Sequence, residues 1–271
     1  MALDLDDYFT RTAWTGERRP IVETLRTIHR VHLYGIPFEN LDPLLGTAPS
    51  LDLDDLQAKL VRGTRGGYCY EHNTLLAAVL ESLGFGVTLL CARVLVGAQP
   101  GAVRPRTHMM LLVEIPGHEG RYLADVGFGS SGALTEPVPL VADQEFDADG
   151  RRHRLVFDAE RRGPLPTWVL QHGRPDGSWA DQYAFTLEPY EAPDFEVINW
   201  HIGTNPRSPF TKEVYACRTL PGRHLQLSGR KLVETRTGGE REERELADVD
   251  EVLRVLEAEF GIVLPEGTKL P

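Results

Sequence analysis

The sequence has few cysteines and no long apolar run. Its three cysteines, Cys69, Cys91 and Cys217, stand at wide and odd spacing among 271 residues, which forms no disulfide framework and fits a reducing compartment. No stretch approaches the roughly 18 uninterrupted apolar residues of a transmembrane helix. The first residues, MALDLDDYFT, carry aspartates where an export signal would carry Lys or Arg. We therefore predict a cytoplasmic protein with no membrane partner.

Positive charge is also scarce. The chain has 29 Lys and Arg residues against 40 Asp and Glu residues, a formal net charge of −11. A field of that sign repels nucleic acid and anionic membranes, which bind clustered basic residues. Two short basic runs, Arg18-Arg19 and Arg151-Arg152, lie beside turn residues, and we interpret both as solvated surface. We expect no nucleic-acid partner, and an anionic small ligand would be held locally by backbone donors and a few cations.

Hydrophobic periodicity divides the chain into a helical part and a strand-rich part. In residues 1–85, apolar residues recur at three- and four-residue steps, and the run after Cys69 predicts a buried helix that Gly84 ends. From residue 86 onward, short β-type runs alternate with Gly and Pro turns. The tail DVDEVLRVLEAEFGI predicts an amphipathic helix. Segregated elements of this kind favour an α+β fold.

Cys69 lies in the segment RGGYCYEHN, between a glycine pair and the start of a helix. The N–H groups and the positive end of a helix stabilise a thiolate over a thiol. Gly66 and Gly67 carry no side chains, so a substrate could approach the sulfur closely. Most lone cysteines are small buried residues, and Cys91 and Cys217 in their apolar strands fit that interpretation. The polar surroundings of Cys69 instead predict a nucleophile.

A cysteine nucleophile needs a base and a third group that orients the base. His108 opens the strand HMMLLVEI, and Asp125 stands near the far end of the next strand, RYLADVGFG. Antiparallel pairing brings the start of one strand beside the end of the next, so we expect these residues to be neighbours. A shift of one residue would place them on opposite faces, so the sequence leaves their shared face open. His72 in a single C-x-x-H is a weak zinc signal, and we predict no metal site.

Five motifs, taken together and in order, resemble the arylamine N-acetyltransferase family. The resemblance implies a catalytic triad of Cys69, His108 and Asp125, and an ion pair of Glu39 and Arg65 that supports the nucleophile. The motifs cover most of the chain and are PFENL at 37–41, RGGYCYEHN at 65–73, RTHMMLLV at 106–113, YLADVGFG at 122–129 and NWHIGTNPRSPF at 199–210.

The same resemblance implies an architecture and a reaction. The architecture is cysteine-protease-like, with a helical domain (1–85) that carries the nucleophile, a central β-barrel domain (86–195) that carries His and Asp, and a C-terminal α/β lid (196–271). The reaction moves the acetyl group of acetyl-coenzyme A to the amino group of an arylamine, a hydrazine or an N-hydroxyarylamine. It follows a ping-pong mechanism through an acetyl-cysteine, as in xenobiotic metabolism. Acetyl-coenzyme A is then a co-substrate, and no cofactor is bound permanently.

The implied binding sites surround the triad. The glycine-rich run VGFGSSG follows Asp125 directly, and its backbone N–H groups could form an anion-binding concavity for the pyrophosphate of the coenzyme. Aromatic side chains in the acceptor pocket would favour a flat arylamine and displace water. The residues predicted to bind the coenzyme are Thr107, Gly127, Gly129, Ser130 and His201. The residues predicted to line the acceptor pocket are Phe38, Tyr68, Val94 and Phe128.

Other functions stay open from the sequence. The same triad serves transglutaminase-like enzymes and amide hydrolases, and some relatives of the family are amide synthases that close a macrolactam. A redox sensor or a binding module with Cys69 as its reactive thiol would leave His108 and Asp125 unexplained. The sequence also leaves open the acceptor amine, the acyl group (acetyl, propionyl or malonyl) and whether the chain forms a homo-oligomer.

Overall fold

Helices dominate the first third of the chain and return near its C-terminus. The structure is a computed structural model that describes residues 3–99, 101–158 and 164–271. None of the described helices is long and apolar enough to cross a lipid bilayer. The helices are α1 (Leu5–Thr12), α2 (Val22–Gly35), α3 (Leu41–Leu44), α4 (Leu53–Leu56), α5 (Cys69–Ser82), α6 (Ala192–Thr204) and α7 (Val249–Val255). Single π-helical turns extend α4 over Gln57–Val61 and α7 over Leu256–Phe260, and a 3₁₀ turn spans Pro209–Thr211.

Side-chain caps fix where several of these helices begin. Asp52 accepts a backbone N–H at the start of α4, and Asp248 does the same for α7. Such caps satisfy N–H groups that have no partner inside the helix. At α5 the Glu71 carboxylate reaches back to the N–H of Tyr68, 3.1 Å away. The helix that carries Cys69 therefore begins at the cysteine itself.

The described strands form two antiparallel sheets. The strands are β1 (Phe38–Glu39), β2 (Gly86–Val94), β3 (His108–Glu114), β4 (Arg121–Ala124), β5 (Val138–Pro139), β6 (Glu145–Ala148), β7 (Arg151–Phe157), β8 (Trp168–Gly173), β9 (Trp179–Phe185), β10 (Tyr215–Leu220), β11 (Arg223–Ser228), β12 (Lys231–Arg236) and β13 (Arg241–Glu245). The larger sheet has the order β5-β4-β3-β2-β9-β8-β7-β6, and the smaller sheet has the order β1-β10-β11-β12-β13.

The larger sheet curls into a nearly closed barrel. The chain after its edge strand β5 reaches β7 near the opposite edge, where Ala142 forms an isolated bridge with Leu155 and the Asp143 N–H donates to the Leu155 carbonyl over 2.8 Å. Apolar side chains such as Leu90, Leu123 and Leu155 fill the interior. The predicted α+β fold, with a helical N-terminus, a barrel and a C-terminal strand-and-helix part, is confirmed.

The smaller sheet joins distant parts of the chain. Phe38 pairs with Cys217, and Glu39 pairs with Ala216, so a short N-terminal strand extends a sheet made by the last third of the sequence. The helix α6 spans both sides of the predicted boundary between residues 195 and 196. The three-domain division from the sequence stays a prediction.

Arg151 is buried, and its interpretation as solvated surface is wrong. Alternate residues of β7 face inward, and Arg151 and His153 belong to the inward set because successive strand residues point to opposite faces. Arg151 is 7% exposed, and burial lowers the pKa of its guanidinium below the ordinary value. Arg152, on the other face, keeps 38% of its side chain exposed.

The turn before Cys69 depends on a glycine, which gives a first prediction. A Cβ on Gly66 would lie 1.8 Å from the carbonyl oxygen of Pro37, so Gly66→Ala must displace backbone. We expect the free energy of unfolding to fall by about 2–3 kcal/mol, measured by urea denaturation. Gly35→Ala is the matched control because its Cβ would meet no atom closer than 3.5 Å. Equal stability of the two variants would show that the turn is not packed against Pro37.

Candidate active site

His108 and Asp125 come together through the register of β3 and β4. Leu111 lies opposite Ala124, so the next residue, Asp125, faces Met110, and His108 lies two residues further along the same face. The His108 Nε2 and the Asp125 Oδ2 are 2.7 Å apart, and both side chains are buried. The register places the two predicted neighbours on one face, which the sequence left open.

Cys69 lies at the first turn of α5, in contact with His108 and with the chain after Asp125. The interaction between the thiol and the imidazole contributes to the protonation of His108. Because His108 bonds to Asp125 through Nε2, its Nδ1 is left for the sulfur. A Cβ on Gly127 would lie 2.7 Å from the Cα of Cys69, so this position must be glycine for the two segments to pack so closely. The structure thus brings the three predicted side chains into one buried cluster.

The Asp125 carboxylate controls the charge of His108. Burial alone lowers the pKa of His108, but attraction to Asp125 and hydrogen bonds to Asp125 and Cys69 raise it to about 10. Burial raises the pKa of Asp125, but His108, Asn73 and the Gly127 N–H more than offset this and lower it. At neutral pH the ring is therefore an imidazolium between a carboxylate and the sulfur. A neighbouring imidazolium favours the thiolate form of a cysteine.

Asn73 fixes the Asp125 carboxylate, and the sequence analysis missed it. Its Nδ2 donates to Asp125 Oδ1 at 3.0 Å and to the Met109 carbonyl at 2.8 Å. Its Oδ1 accepts the N–H of Val126 at 3.2 Å. Asn73 comes four residues after Cys69 in RGGYCYEHN, so both lie on one face of α5. That spacing is the signal that could have identified it.

Five charged side chains support the turn before Cys69. Arg65 Nε lies 2.7 Å from Glu39 Oε1, and Arg65 Nη2 lies 2.7 Å from Asp42 Oδ1. Lys59 Nζ lies 2.6 Å from Asp42 Oδ2 and 2.6 Å from Glu71 Oε1. The predicted pair of Glu39 and Arg65 is therefore part of a larger network. No spacing in the sequence indicates Lys59 or Asp42, because their ion pairs with each other and with Arg65 and Glu71 form only in the folded chain.

Glu71 connects this network to α5, the helix that begins at Cys69. One of its oxygens accepts from Lys59, and the other accepts the N–H of Tyr68, next to Cys69. Burial raises the pKa of Glu71 to about 7, with Lys59 opposing the shift and Glu39 adding to it. Three carboxylates share two cations, and Glu39 and Glu71 each accept from one cation and from one backbone N–H group.

Three residues predicted to bind the coenzyme lie in the glycine-rich loop, defined as residues 126–132. The Gly127 N–H donates to Asp125 Oδ1 at 3.0 Å. Gly129 has a φ of +43°, and a Cβ there would lie 2.8 Å from the ring of Phe38, so both conformation and space require glycine. Ser130 Oγ accepts the N–H of Gly132 at 3.2 Å. The loop therefore begins with a direct hydrogen bond to the Asp125 carboxylate.

The other two predicted coenzyme residues lie apart from each other. Thr107 immediately precedes His108, and its carbonyl accepts the Tyr70 hydroxyl at 2.6 Å. His201 is exposed on α6, and its Nε2 lies 3.1 Å from Asn205 Nδ2. No hydrogen bond joins His201 to the glycine-rich loop or to the triad within the described residues. Its role in binding stays a prediction.

The predicted acceptor-pocket residues fall into two groups. Phe128 and Val94 belong to the apolar cluster inside the barrel. The ring of Phe128 lies edge-on to His108, with centroids 5.0 Å apart. Tyr183, which the sequence analysis did not identify, lies 5.1 Å from His108 on another side. Aromatic rings therefore cover the imidazole within the barrel.

Phe38 and Tyr68 form the second group with Phe210. The ring of Phe210 lies 6.1 Å from Phe38 and 5.6 Å from Tyr68. The Tyr68 hydroxyl donates to the side chain of Asn199 on α6, and Tyr68 is fully buried. Tyr68 therefore packs against α6, while the ring of Phe38, on strand β1 of the smaller sheet, packs against Tyr215 and against the glycine-rich loop at Gly129. Their contact with an acceptor stays a prediction.

His72 belongs to a buried hydrogen-bonded chain. Its Nε2 lies 3.1 Å from the Pro37 carbonyl, which can only accept, so its Nδ1 accepts from His32 Nε2 at 3.0 Å. The Tyr8 hydroxyl then donates to His32 Nδ1 at 2.9 Å. Burial lowers the pKa of His72 to about 4, so the ring is neutral. No group of three His, Cys, Asp or Glu side chains in the described ranges is arranged to hold a metal ion.

The two bonds of Glu71 give a second prediction. Glu71→Gln keeps one carbonyl oxygen, which accepts from only one of the two donors and leaves an NH2 group facing the other, so we expect the free energy of unfolding to fall by about 1–2 kcal/mol. Glu71→Leu leaves the Lys59 ammonium and the Tyr68 N–H without this acceptor, and we expect a loss of about 3 kcal/mol. Denaturant titration at pH 7 measures both. A loss in Glu71→Gln as large as in Glu71→Leu would show that the one acceptor oxygen kept by Gln does not contribute to stability.

The charge of Asp125 gives a third prediction. In Asp125→Asn the attraction that holds the proton on His108 is removed while burial remains. We expect the imidazole to titrate far below pH 10, near or below its ordinary pKa of about 6.5. The pH dependence of the His108 Cε1–H resonance measures this in both proteins. An unchanged midpoint would mean that Asp125 does not set the charge of the ring.

The same comparison has a consequence for stability. The folded-state pKa of His108, about 10, lies above the unfolded value of about 6.5. Its contribution to stability is therefore complete below about pH 6.5 and is lost as the pH rises through 10. The free energy of unfolding of the native chain should fall more steeply over this window than that of Asp125→Asn.

Known proteins match nearly the whole of this chain. A family model described as N-acetyltransferase matches residues 21–269. The arylamine N-acetyltransferase of Mycolicibacterium smegmatis is 40% identical over 269 residues, covering 97% of this chain and 94% of that protein. The crystal structure of the Nocardia farcinica arylamine N-acetyltransferase matches with a TM-score of 0.89 and 42% identity, covering 97% of this chain and 90% of that chain.

A further solved structure matches to a similar degree. It is the arylamine N-acetyltransferase of Mycobacterium marinum in complex with CoA, with a TM-score of 0.88, 36% identity, and coverage of 96% of this chain and 93% of that chain. Both the sequence matches and the structural matches extend over nearly the whole chain. The resemblance seen in the five motifs is confirmed, and the chain belongs to the arylamine N-acetyltransferase family of acyltransferases.

Proposed function

We propose that the protein transfers the acetyl group of acetyl-coenzyme A to the amino group of an arylamine through an acetyl-cysteine on Cys69. Hydrazines and N-hydroxyarylamines would serve as related acceptors. The observation that carries the proposal is the buried cluster in which His108 bonds to Asp125 at 2.7 Å and contacts the Cys69 thiol. Family membership supports the same conclusion.

In the first half-reaction the Cys69 thiolate attacks the acetyl carbonyl. A new C–S bond forms, and the thioester bond to the coenzyme breaks as the tetrahedral intermediate collapses. The His108 imidazolium gives its proton to the departing coenzyme sulfur and becomes neutral. One thioester replaces another of similar energy, so the acetyl group remains reactive toward the next nucleophile.

In the second half-reaction the amine nitrogen attacks the acetyl-cysteine. The neutral His108 takes the proton that the nitrogen loses as the amide forms, and the Cys69 thiolate leaves. The resting pair of thiolate and imidazolium is thereby restored. The two half-reactions use the same imidazole first as an acid and then as a base, which requires a ring that is held in one orientation.

Asp125 and Asn73 supply that orientation. Asp125 stabilises the imidazolium and holds Nε2, while Asn73 holds the other carboxylate oxygen at 3.0 Å. The N–H of Cys69, at the first position of α5, has no partner inside the helix and would donate to the oxyanion of each tetrahedral intermediate. Such a donor contributes about 3 kcal/mol to the transition state in comparable enzymes.

The glycine-rich loop would hold the pyrophosphate of the coenzyme. The chain carries a net charge of −11, so an anionic donor needs local N–H groups rather than a basic surface. The loop begins at the Asp125 cluster and includes Gly127, Gly129 and Ser130. The complex of the Mycobacterium marinum relative with CoA supports coenzyme binding by this family, and Thr107 and His201 would add contacts outside the loop.

The acceptor would approach through the aromatic residues near the triad. Phe128 touches the imidazole, and Val94 packs in the same apolar cluster, while Phe38 lies against the loop at Gly129. Apolar rings in this position favour a flat arylamine and exclude water, which would hydrolyse the acetyl-enzyme. We assign the activity to detoxification of foreign amines in the cytoplasm, where the three free cysteines would stay reduced.

The acetyl-enzyme gives a fourth prediction. The native chain is incubated with acetyl-coenzyme A, without and then with an arylamine, and its intact mass is measured. We expect the mass of one acetyl group to appear on Cys69 and to disappear when the amine is added. Cys69→Ala should show neither, and Cys91→Ala, the same change at a buried strand cysteine, should behave like the native chain.

Asp125→Asn extends the same experiment. It should lower the rate of acetylation by about a thousandfold, because a misoriented or neutral imidazole no longer stabilises the Cys69 thiolate or gives a proton to the coenzyme sulfur. Acetylation of the Cys69→Ala variant would remove the assignment of the nucleophile. Cleavage of amides without coenzyme, together with no acetyl-enzyme, would favour an amide hydrolase or a transglutaminase-like enzyme instead.

A further inference from the structure

The hydrogen bonds of the glycine-rich loop are unevenly distributed between its carbonyl and N–H groups. The N–H groups of residues 128–131 have no acceptor among the described residues of the protein. The carbonyls of residues 129–132, in contrast, all accept hydrogen bonds. The Ser130 carbonyl accepts from the N–H of Ala133, the residue that follows the loop, and the other three accept from side chains outside the loop.

The Gly129 carbonyl is held by the smaller sheet. The Tyr215 hydroxyl donates to it at 2.7 Å, and the Cys217 thiol donates at 3.3 Å. Tyr215 and Cys217 are alternate residues of β10 and so point to the same side of the sheet. The ring of Tyr215 also packs edge-on against Phe38, with centroids 5.9 Å apart, which fixes the direction of its hydroxyl.

The Ser131 and Gly132 carbonyls are held by the barrel. Arg151 Nη1 lies 3.4 Å from the Ser131 carbonyl, and His153 Nε2 lies 3.1 Å from the Gly132 carbonyl. Burial lowers the pKa of His153 to about 3, so the ring is neutral and its proton lies on the nitrogen that faces the carbonyl. These two residues are also alternate positions of one strand, β7.

Because peptide bonds are planar, these contacts also set the direction of the N–H groups in the same peptides. In a trans peptide the carbonyl of one residue and the N–H of the next point in opposite directions. Holding the carbonyl of Gly129 therefore aims the N–H of Ser130 away from β10. The N–H groups of Gly132 and Ala133 donate to the Oγ and the carbonyl of Ser130, so Arg151 and His153 instead fix the turn that closes the loop. If the peptide between Gly129 and Ser130 were flipped, its carbonyl oxygen would face the bound anion in place of its N–H group.

We propose that Tyr215, Cys217, Arg151 and His153 form a cradle that positions the glycine-rich loop for the phosphates of the donor. The cradle residues do not touch the coenzyme. They hold carbonyl oxygens of the loop against two sheets, and the N–H groups of residues 128–131 stay free to donate to an anion. The inference rests on the proposed function, since it concerns how the same site selects a donor with a pyrophosphate.

The cradle predicts a defect that depends on the donor. Two thioesters are compared: acetyl-coenzyme A, and S-acetylpantetheine, which has the same reactive end but no pyrophosphate or nucleotide. In Tyr215→Phe and in His153→Leu we expect the KM for acetyl-coenzyme A to rise by about tenfold, the effect of a weakened hydrogen bond to a charged group. The kcat, and both constants for S-acetylpantetheine, should stay within about twofold of the native values.

Two further variants separate positioning from general damage. His153→Gln keeps an N–H donor toward the Gly132 carbonyl and should restore a near-native KM. Thr219→Val removes a buried hydroxyl from the same strand as Tyr215, where it bonds to His224 at 3.0 Å, without touching the loop. It should leave the KM for both donors unchanged, and thermal melting of every variant checks that the fold is kept.

The outcomes distinguish the cradle from the function on which it rests. A native chain that acetylates an arylamine, with variants whose KM for acetyl-coenzyme A is unchanged, overturns the cradle alone. An equal rise in KM for both donors also overturns it, because the defect would not concern the phosphates. A native chain that transfers acetyl from neither donor overturns the proposed function itself.

Discussion

The structure depends on one buried ion pair, between the imidazolium of His108 and the carboxylate of Asp125. Neither charge would be stable alone in the interior, because transfer of an unpaired ion from water is very costly. Each charge therefore offsets the cost of burying the other. Asn73 and the Gly127 N–H donate to the remaining carboxylate oxygen. The barrel strands, the first turn of α5 and the loop after Asp125 all meet at this pair. The geometry of the site therefore follows from the hydrogen bonds that the buried ion pair requires.

A second buried set of charges supports the turn before Cys69, the proposed nucleophile. Arg65 and Lys59 bind three carboxylates on α3, α5 and β1, and Gly66 packs against a carbonyl where no side chain would fit. The network links the turn before Cys69 to three separate segments. The sulfur is thus positioned from both sides of its helix start, by ions before it and by Asn73 after it.

The candidate triad could be predicted from the residues around Cys69, from strand order and from motifs that resemble the family, and the parts that were missed have physical causes. Cys69, His108 and Asp125 stand in motifs whose order is informative, but their shared face depended on strand register. Arg151 was assigned to the surface because its neighbours in sequence are turn residues, although alternation along β7 places it inside. The helix α6 was not predicted because Val197 and Trp200 are 70% and 64% exposed, which obscures its polar face. Lys59 and Asp42 are joined to Glu71 only by tertiary packing, for which no periodicity exists.

The pairing of β1 with β10 has a consequence for synthesis on the ribosome. Phe38 and Glu39 leave the exit tunnel early, but their strand partners Cys217 and Ala216 follow after more than half of the chain has been translated. A nascent chain ending before β10 already contains all three triad residues and still lacks the strand against which Phe38 and the loop at Gly129 rest. Contacts of such long sequence separation form late, so we expect the loop proposed to bind the donor to be held in place only after the last third of the chain has emerged.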